Sequence, residues 1–353
     1  MIFGVLKPNM VITDIEKIFI SVAQQKKHEA YVFIAKNIDF KNKRIKGKTL
    51  RNNKVVEEIF DFPDVVQNRL AVKEEDMESY LKLAELIPFA NNRIGTKETV
   101  YKIMNKVEPL RKYLIEVLEL NDFSVIKNSL NKYSKIICKP DASNQGKGIV
   151  TIKKNADVYI VKQMQEQHEY NLSELEEFTK KNLKRGYTVS PFLKSETHLG
   201  QTTVFRMHIT RGKEGKWQLI KFFPYVNLNK EIDITNGMLG ALITTREQLF
   251  LEQYYPSSVD KINLGIRQLF DDFNQNFQKQ FAWRLDSIGL DLGITQDGDI
   301  YIYEVNVGPG VGFMAYSVAC AQVDYYEWLA IKAQPPYKNN FLPQNLRKKI
   351  AKI

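Results

Sequence analysis

The sequence predicts an α+β fold preceded by a small α/β domain, and three patterns predict it. Residues 1–90 alternate short apolar runs with helical ones, as a small α/β domain does. Residues 202–210 and 216–227 are two long strand-like runs joined by Arg211-Gly-Lys-Glu-Gly215. Residues 290–306 read as a second hairpin, entered from a long amphipathic helix at 262–284.

The chain of 353 residues has room for about two or three domains and a sizeable core. Hydrophobic residues are 44% and charged residues 26%, a globular balance. No apolar run approaches the roughly 18 residues needed to cross a bilayer, so no membrane partner is expected. Residues 1–8 lack the order of a signal peptide. The two cysteines, Cys138 and Cys320, lie far apart, which argues against a disulfide framework or zinc site and fits a reducing cytoplasm. Net charge is +10, from 51 basic and 41 acidic residues. The basic residues are spread out, densest at 41–48 and 347–352, with no nucleic-acid-binding signature, so nucleic acid is not an expected partner. The oligomeric state is not readable.

In the first domain, 11–27 is a helix with Ile12, Ile15, Ile18, Phe19 and Val22 on one side. Residues 31–35, 54–60 and 62–70 are strand-like, 37–53 is a polar loop or weak hairpin, and 74–86 is a helix closed by Pro88. Helices follow at 97–104 and 123–133, then strands at 134–140 and 149–153, a helix at 172–183 and a strand at 187–193. In the helix at 262–284, Ile266, Leu269, Phe270, Phe273, Phe277 and Phe281 keep the 3.6 period, a core stripe. A short helix at 313–319 and a basic tail close the chain.

The hairpin at 290–306 carries the chemistry. Asp297-Gly298 suits a two-residue turn with positive φ. A turn centred there puts Asp291 opposite Glu304, with β-carbons about 4.5–5.5 Å apart, and Leu292 and Ile294 opposite Tyr303 and Tyr301. Asn306 shares the face of Glu304. Two carboxylates about 4 Å apart repel by about 4 kcal/mol at an effective dielectric of roughly 20, so the pair needs a proton or a cation. Two carboxylates and an amide oxygen are hard ligands suited to Mg²⁺, which usually comes with a polyphosphate. A surface hairpin with scattered polar residues is the alternative.

Ser143-Asn-Gln-Gly-Lys-Gly148 sits between two strands, and its small residues would let backbone N–H groups close around phosphate. It is not a Walker A loop, since Asp141 and Gly148 stand where Gly and Ser/Thr are needed. Alone it is an ordinary turn. Lys139, alternating with a core-facing Cys138, adds a cation beside it. Lys97 opens its helix and by itself reads as a solvated lysine. Arg206 lies mid-strand with Val204, His208 and Thr210 on its face, where an arginine usually meets a carboxylate or a phosphate. His208 reads as a satisfied sheet histidine, and the four histidines show no metal spacing.

In order, these pieces resemble the ATP-grasp superfamily and, more narrowly, its YheC/YheD-type family, described as endospore-coat-associated. The stretches that carry the resemblance are Phe62-Pro-Asp-Val-Val-Gln-Asn-Arg69, Lys139-Pro140, Gly146-Lys-Gly-Ile149, Phe205-Arg206, Gly289-Leu-Asp-Leu-Gly293 and Tyr303-Glu-Val-Asn306. The resemblance implies an ATP-grasp fold in which two α+β subdomains grip ATP. It divides the chain into an N-terminal domain at 1–90, a subdomain with the lysines and phosphate loop at 91–193, a subdomain with the metal site at 194–330, and the tail at 331–353. Lys97 and Lys139 would contact the phosphates and the adenine side. Ser143, Gln145, Gly146, Lys147 and Gly148 would close over the phosphates. Pro191, Phe192 and Leu193 would form the hinge that reads adenine, and Glu196 would bind ribose. Asp291, Glu304 and Asn306 would hold one or two Mg²⁺, with Mn²⁺ as the alternative metal. Arg206 would meet the γ-phosphate or an acyl-phosphate. Three places depart from the pattern, one of them the Thr235-Asn236-Gly237 turn, which only partly matches the Thr-Asn and Gly-Gly loop expected there. Val204 replaces a frequent Asp, which bears on one substrate or metal contact, and Val307-Gly308-Pro309 replaces a Lys-Pro or similar pair.

The function so implied is an ATP-dependent carboxylate–amine ligase that phosphorylates a small-molecule or peptide carboxylate and hands it to an amine acceptor. No Ser-His-Asp or Cys-His arrangement is present, and such chemistry needs positioning and charge neutralisation rather than a protein nucleophile. A nucleotide-binding spore-coat assembly protein without turnover, and a kinase-like enzyme, are the competing readings.

Overall fold

The computed structural model describes residues 1–140, 148–163, 166–183, 186–230, 232–235 and 240–341. β1 (Ile2–Leu6), α1 (Asp14–Gln25) and β2 (Glu29–Phe33) form a parallel unit, with Gly4 opposite Tyr31. The N-terminus of α1 carries a capping box between Thr13 and Glu16. Then come β3 (Ile38–Asp39), β4 (Arg44–Arg51), β5 (Lys54–Asp61), β6 (Val65–Asn68) and α2 (Met77–Leu86). The sheet order is β3-β4-β2-β1-β6, with β5 paired to β4.

The stretch at 37–53, expected to be a polar loop or a weak hairpin, contains β3 and an eight-residue strand, β4, which pairs antiparallel with β3 and β5. Its alternation is hidden because one face is Arg44, Lys46 and Lys48, while the other includes Gly47. A β-carbon at Gly47 would lie 2.7 Å from the Tyr31 ring, so the aromatic ring fills the space a side chain would take.

The second unit holds α3 (Lys97–Asn105), α4 (Glu108–Arg111), β7 (Leu118–Glu119), α5 (Phe123–Tyr133) and β8 (Lys135–Pro140). It continues with β9 (Val150–Asn155), β10 (Val158–Gln163), β11 (Glu166–Tyr170), α6 (Leu172–Asn182) and β12 (Tyr187–Pro191). The sheet runs β11-β10-β9-β8-β12-β7. Ile136, Cys138, Ile152 and Val189 bury one face under Ile126 and Leu130 of α5 and Leu175 of α6. The other face of β8 is left for Ile137 and Lys139.

The third unit is built from β13 (Thr203–Arg211), β14 (Trp217–Val226), β15 (Leu242–Ile243), α7 (Glu247–Tyr254) and α8 (Val259–Asn276). β16 (Ser287–Ile294), β17 (Ile300–Val307) and α9 (Ala315–Lys332) complete it. The sheet order is β15-β14-β13-β16-β17. Phe205, Met207, Leu290 and Leu292 pack against Ile262, Leu269 and Phe273 of α8.

The helix expected at 262–284 stops at Asn276. A 3₁₀ turn follows, and Phe281 is extended, although the apolar spacing runs on. The helix expected at 313–319 is instead an 18-residue helix, α9. Its Val323, Tyr326 and Leu329 join Phe3, Val5 and Phe19 in the core of the N-terminal sheet. Of the expected tail, Phe341 is buried against Tyr80 and Phe89. No helix among the described residues is long and apolar enough to cross a membrane.

His208 is buried, with Nε2 3.1 Å from Ser287 Oγ and Nδ1 without a partner among the described residues. Burial, helped by the charge of Arg206, lowers its pKa to about 4 from 6.5. The folded state therefore keeps His208 neutral while the unfolded chain protonates it, so its stability term is intact above 6.5 and is lost as pH falls towards 4. The loss approaches about 3 kcal/mol. Urea midpoints measured from pH 7 to pH 4 should fall less steeply for His208→Gln than for the wild type. Equal slopes would remove His208 as a cause.

Candidate functional site

A cleft of about 930 Å³ lies between the second and third sheets. Ile137, Ile149, Pro191, Phe192 and Leu193 give it an apolar wall, Lys97 and Lys139 lie beside Glu304 and Tyr303, and Arg206, Asp291 and Asn306 also line it. Gly308, Pro309 and Gly310 line it as well.

The hairpin β16–β17 forms as expected at the site and differently at the turn. Asp291 pairs with Glu304, and Gly289 with Asn306. Beyond a bulge, however, Leu292 pairs with Ile302 and Ile294 with Ile300, not with Tyr303 and Tyr301. The turn explains the shift. Thr295 N–H donates to Asp299 O (3.0 Å), which closes a longer loop in which Gly298 takes the left-handed φ of +81°. The turn moves the register by one and the bulge moves it back. Tyr303 and Glu304, consecutive in the chain, both line the cleft, and so does the buried Ile302.

Charge on this hairpin is balanced by two other elements. Arg206 of β13 sits opposite Asp291 and binds it in bidentate fashion, Nε to Oδ1 at 2.6 Å and Nη2 to Oδ2 at 3.2 Å. Burial works against the Arg206 charge, but Asp291 more than offsets it and holds the guanidinium above its ordinary value. Lys97 reaches Glu304 Oε1 at 3.4 Å. A lysine as first residue of a helix gains nothing from the helix dipole, so its value is at the cleft. Asn306 Nδ2 donates to Asp291 Oδ2 at 3.0 Å.

Lys139 Nζ lies 5.2 Å from the centre of the Tyr303 ring. Burial lowers its pKa to about 8, the charge of Lys97 lowers it too, and Glu304 opposes both. Cys138, on the other side of the strand, is no nucleophile, since burial pushes its thiol up to about 12.

Among the described residues, no group of three or more Asp, Glu, His or Cys is placed to hold a metal. The hairpin offers two carboxylates and one amide, a donor set that suits a hard ion completed by phosphate and water. Asn306 uses its N–H on Asp291, and its Oδ1 accepts no hydrogen bond among the described residues. The residues present therefore fit Mg²⁺.

Phe192 N–H donates to Lys135 O at 3.0 Å, which fixes the segment after β12. Glu196 lines the cleft and meets Lys194 at 3.4 Å. Gly148 has φ +77° and its carbonyl accepts from Tyr187 Oη at 3.1 Å. Ser143, Gln145, Gly146 and Lys147 lie outside the described residues.

Sequence reasoning missed Tyr303 and Asp233. Asp233 Oδ2 meets Lys135 Nζ at 2.8 Å and accepts from Thr151 Oγ1 at 2.6 Å, tying residues 232–235 to β8 and β9. No local pattern marks Asp233. Tyr303 fills the space beside Gly293, where a β-carbon would collide with the tyrosine ring, and that complementarity shows only in the folded chain.

These elements define an ATP-grasp fold. N5-carboxyaminoimidazole synthetase from Staphylococcus aureus complexed with ADP shares it with a TM-score of 0.52 at 14% identity, covering 96% of this chain and 79% of that one. A RiPP-associated ATP-grasp ligase of Chryseobacterium gregarium, in complex with ADP and a leader and core peptide, shares it with a TM-score of 0.50 at 11% identity, covering 97% and 99%. Residues 86–322 match the YheC/D-like ATP-grasp family, and the chain belongs to it. It is 21% identical over 303 residues to the endospore coat-associated protein YheD of Bacillus subtilis (strain 168), covering 79% of this chain. It spans 64% of the length of that relative.

An ordinary lysine titrates near about 10.4. Lys139 should instead be acylated by a small reagent with a midpoint near pH 8, read by mass spectrometry of the modified peptide. Lys97→Met should move that midpoint up. An unmoved midpoint would remove Lys97 as a cause.

Proposed function

We propose that the chain is an ATP-dependent carboxylate–amine ligase. One observation carries this reading: a single cleft joins an apolar slot, two lysines and a hairpin with two carboxylates and an amide. These suit in turn a purine, a polyphosphate and its metal. Asp291, Glu304 and Asn306 would hold Mg²⁺ (one or two ions, with Mn²⁺ as the alternative), which would offset negative charge on the phosphate oxygens.

Pro191 to Leu193 would flank the base and Glu196 the ribose. Lys139 and Lys97 would meet the phosphates, together with the loop of Ser143, Gln145, Gly146, Lys147 and Gly148. A carboxylate oxygen of the acid would attack the γ-phosphorus, the bond to the β,γ-bridging oxygen would break, and ADP would leave. The amine would then attack the acyl carbon and expel phosphate, losing a proton. Arg206 would face the transferred phosphoryl group and its charge. A peptide carboxylate is a candidate acid because a fold relative is in complex with a leader and core peptide. Activity at the spore coat is a candidate setting because of the name of YheD.

Lys139→Ala should weaken ATP by about 10- to 100-fold, as loss of a charge-assisted contact of about 1.5–3 kcal/mol would. Calorimetry checks this. Glu304→Gln should remove the Mg²⁺ dependence of ATP binding, and an unchanged affinity would sink the metal assignment. With ATP, Mg²⁺, hydroxylamine and a library of acids and C-terminal peptides, the wild type should give a hydroxamate with the right acid. ATP binding with no hydroxamate from any acid would favour the assembly role that the name of YheD suggests.

A further inference from the structure

Away from the cleft, and sharing no lining residue with it, is a second pocket of about 380 Å³. It opens between the end of β13, the stretch after α8, the C-terminal half of α9 and the stretch that follows it. Phe281, Trp283, Tyr325, Trp328 and Pro336 supply apolar and aromatic walls. Arg211, Arg284 and Lys338 supply charge, and no Asp or Glu among the described residues lines the pocket.

Arg211 is held rigidly by neutral groups. Its Nε donates to Leu285 O at 2.8 Å, Nη2 to Gln278 Oε1 at 2.8 Å, and Nη1 to Gly215 O. Its guanidinium lies 4.4 Å from the Trp217 ring centre and 5.9 Å from that of Tyr325. Arg284 lies 5.8 Å from the Tyr337 ring centre. Arg211, Arg284 and Lys338 form no ion pair among the described residues. Asp286 acts on Arg211 only from a distance, since its Oδ2 accepts from Tyr326 (2.8 Å) and Gln322 (3.1 Å). Burial accordingly pulls the Arg211 guanidinium below its ordinary value.

A partly buried arginine ordinarily meets a carboxylate or phosphate. Here the fold keeps acids out, fixes the fork in place and leaves N–H donors over. The turn is shaped for it as well. Gly215 has φ +69°, and a β-carbon there would lie 2.8 Å from the Trp328 ring, so only glycine lets the turn carbonyl reach Arg211.

We infer that this pocket is a second ligand site, one that takes an organic anion with a flat ring. Its ring would lie among Phe281, Trp283 and Trp328, and its carboxylate or phosphate would face Arg211, Arg284 and Lys338. The site is independent of the ligase reading, because no residue of the cleft takes part.

Fluorine NMR of the full chain tests this with 4-fluorophenylacetate, 4-fluorophenyl phosphate and 4-fluorobenzyl alcohol as probes. At least one anion should bind saturably, and the alcohol should bind at least tenfold more weakly. Which anion binds more tightly tells carboxylate from phosphate. The double variant Arg284→Gln, Lys338→Gln keeps the buried Arg211 and should weaken the anion at least tenfold, while Lys139→Ala should leave it unchanged. The inference is overturned if no anion saturates, if the alcohol binds as well, or if the double variant binds equally. It is overturned too if Lys139→Ala abolishes binding, since the anion would then sit in the cleft.

Discussion

Two carboxylates fixed face to face across the β16–β17 hairpin set the terms for the rest of the cleft. The like charges of Asp291 and Glu304 repel there, so nearby cations are needed to balance them. The chain supplies them from two remote segments: Arg206 from the middle of β13 and Lys97 from the first turn of α3. The same electrostatic need therefore holds together a sheet strand, a helix start and a hairpin. Lys139 approaches from the second sheet and is the weakest-held charge of the group, since burial and Lys97 both work against it. In the function proposed above, a polyphosphate would meet the positive charge on the lysine side while a divalent ion would meet the carboxylates.

Backbone geometry makes the arrangement possible. On the cleft face of β16 the order is Gly289, Asp291, Gly293. Arg206 Nη1 would lie 3.1 Å from a β-carbon at Gly289, and Leu193 Cδ2 would lie 2.6 Å from one at Gly293. One carboxylate thus stands between two positions without side chains, and those two spaces admit the guanidinium on one side and the Tyr303 ring with Leu193 on the other. The Gly289-Leu-Asp-Leu-Gly293 motif is a steric pattern as much as a sequence one.

Much of this was legible in the sequence. The pairing of Asp291 with Glu304, the shared face of Asn306 and the cleft-facing side of Lys139 all follow from the two-residue period of a strand. The family resemblance gave the order of the parts. What stayed hidden has physical reasons. β4 carries lysines and a glycine, and the ring that fills its glycine belongs to β2, so its pattern is completed by another strand. α9 is apolar on more than one side because two sheets cover it, and it shows no single stripe. The end of α8 lies inside an unbroken apolar period, where hydrogen bonds rather than pattern decide, as Gln278 Nε2 bonding to Trp283 O shows. Asp233 and Tyr303 act through partners distant in sequence or through a bulge, and neither leaves a local signature.

Arg206 and Arg211 sit five positions apart on one strand and meet opposite fates. Arg206 is paired with a carboxylate, and its charge is strengthened in place. Arg211 is tied to two carbonyls and an amide, stacked on aromatic rings, and its charge is weakened by burial. Hydrogen bonds to neutral acceptors orient a guanidinium but do little to offset its charge, and desolvation then has nothing to balance it. A fold that needed Arg211 only for packing could have used an uncharged side chain against Trp217 and Tyr325 at lower cost. The geometry is that of a cation held ready for an anion, and the absence of any acid from the pocket wall keeps it so.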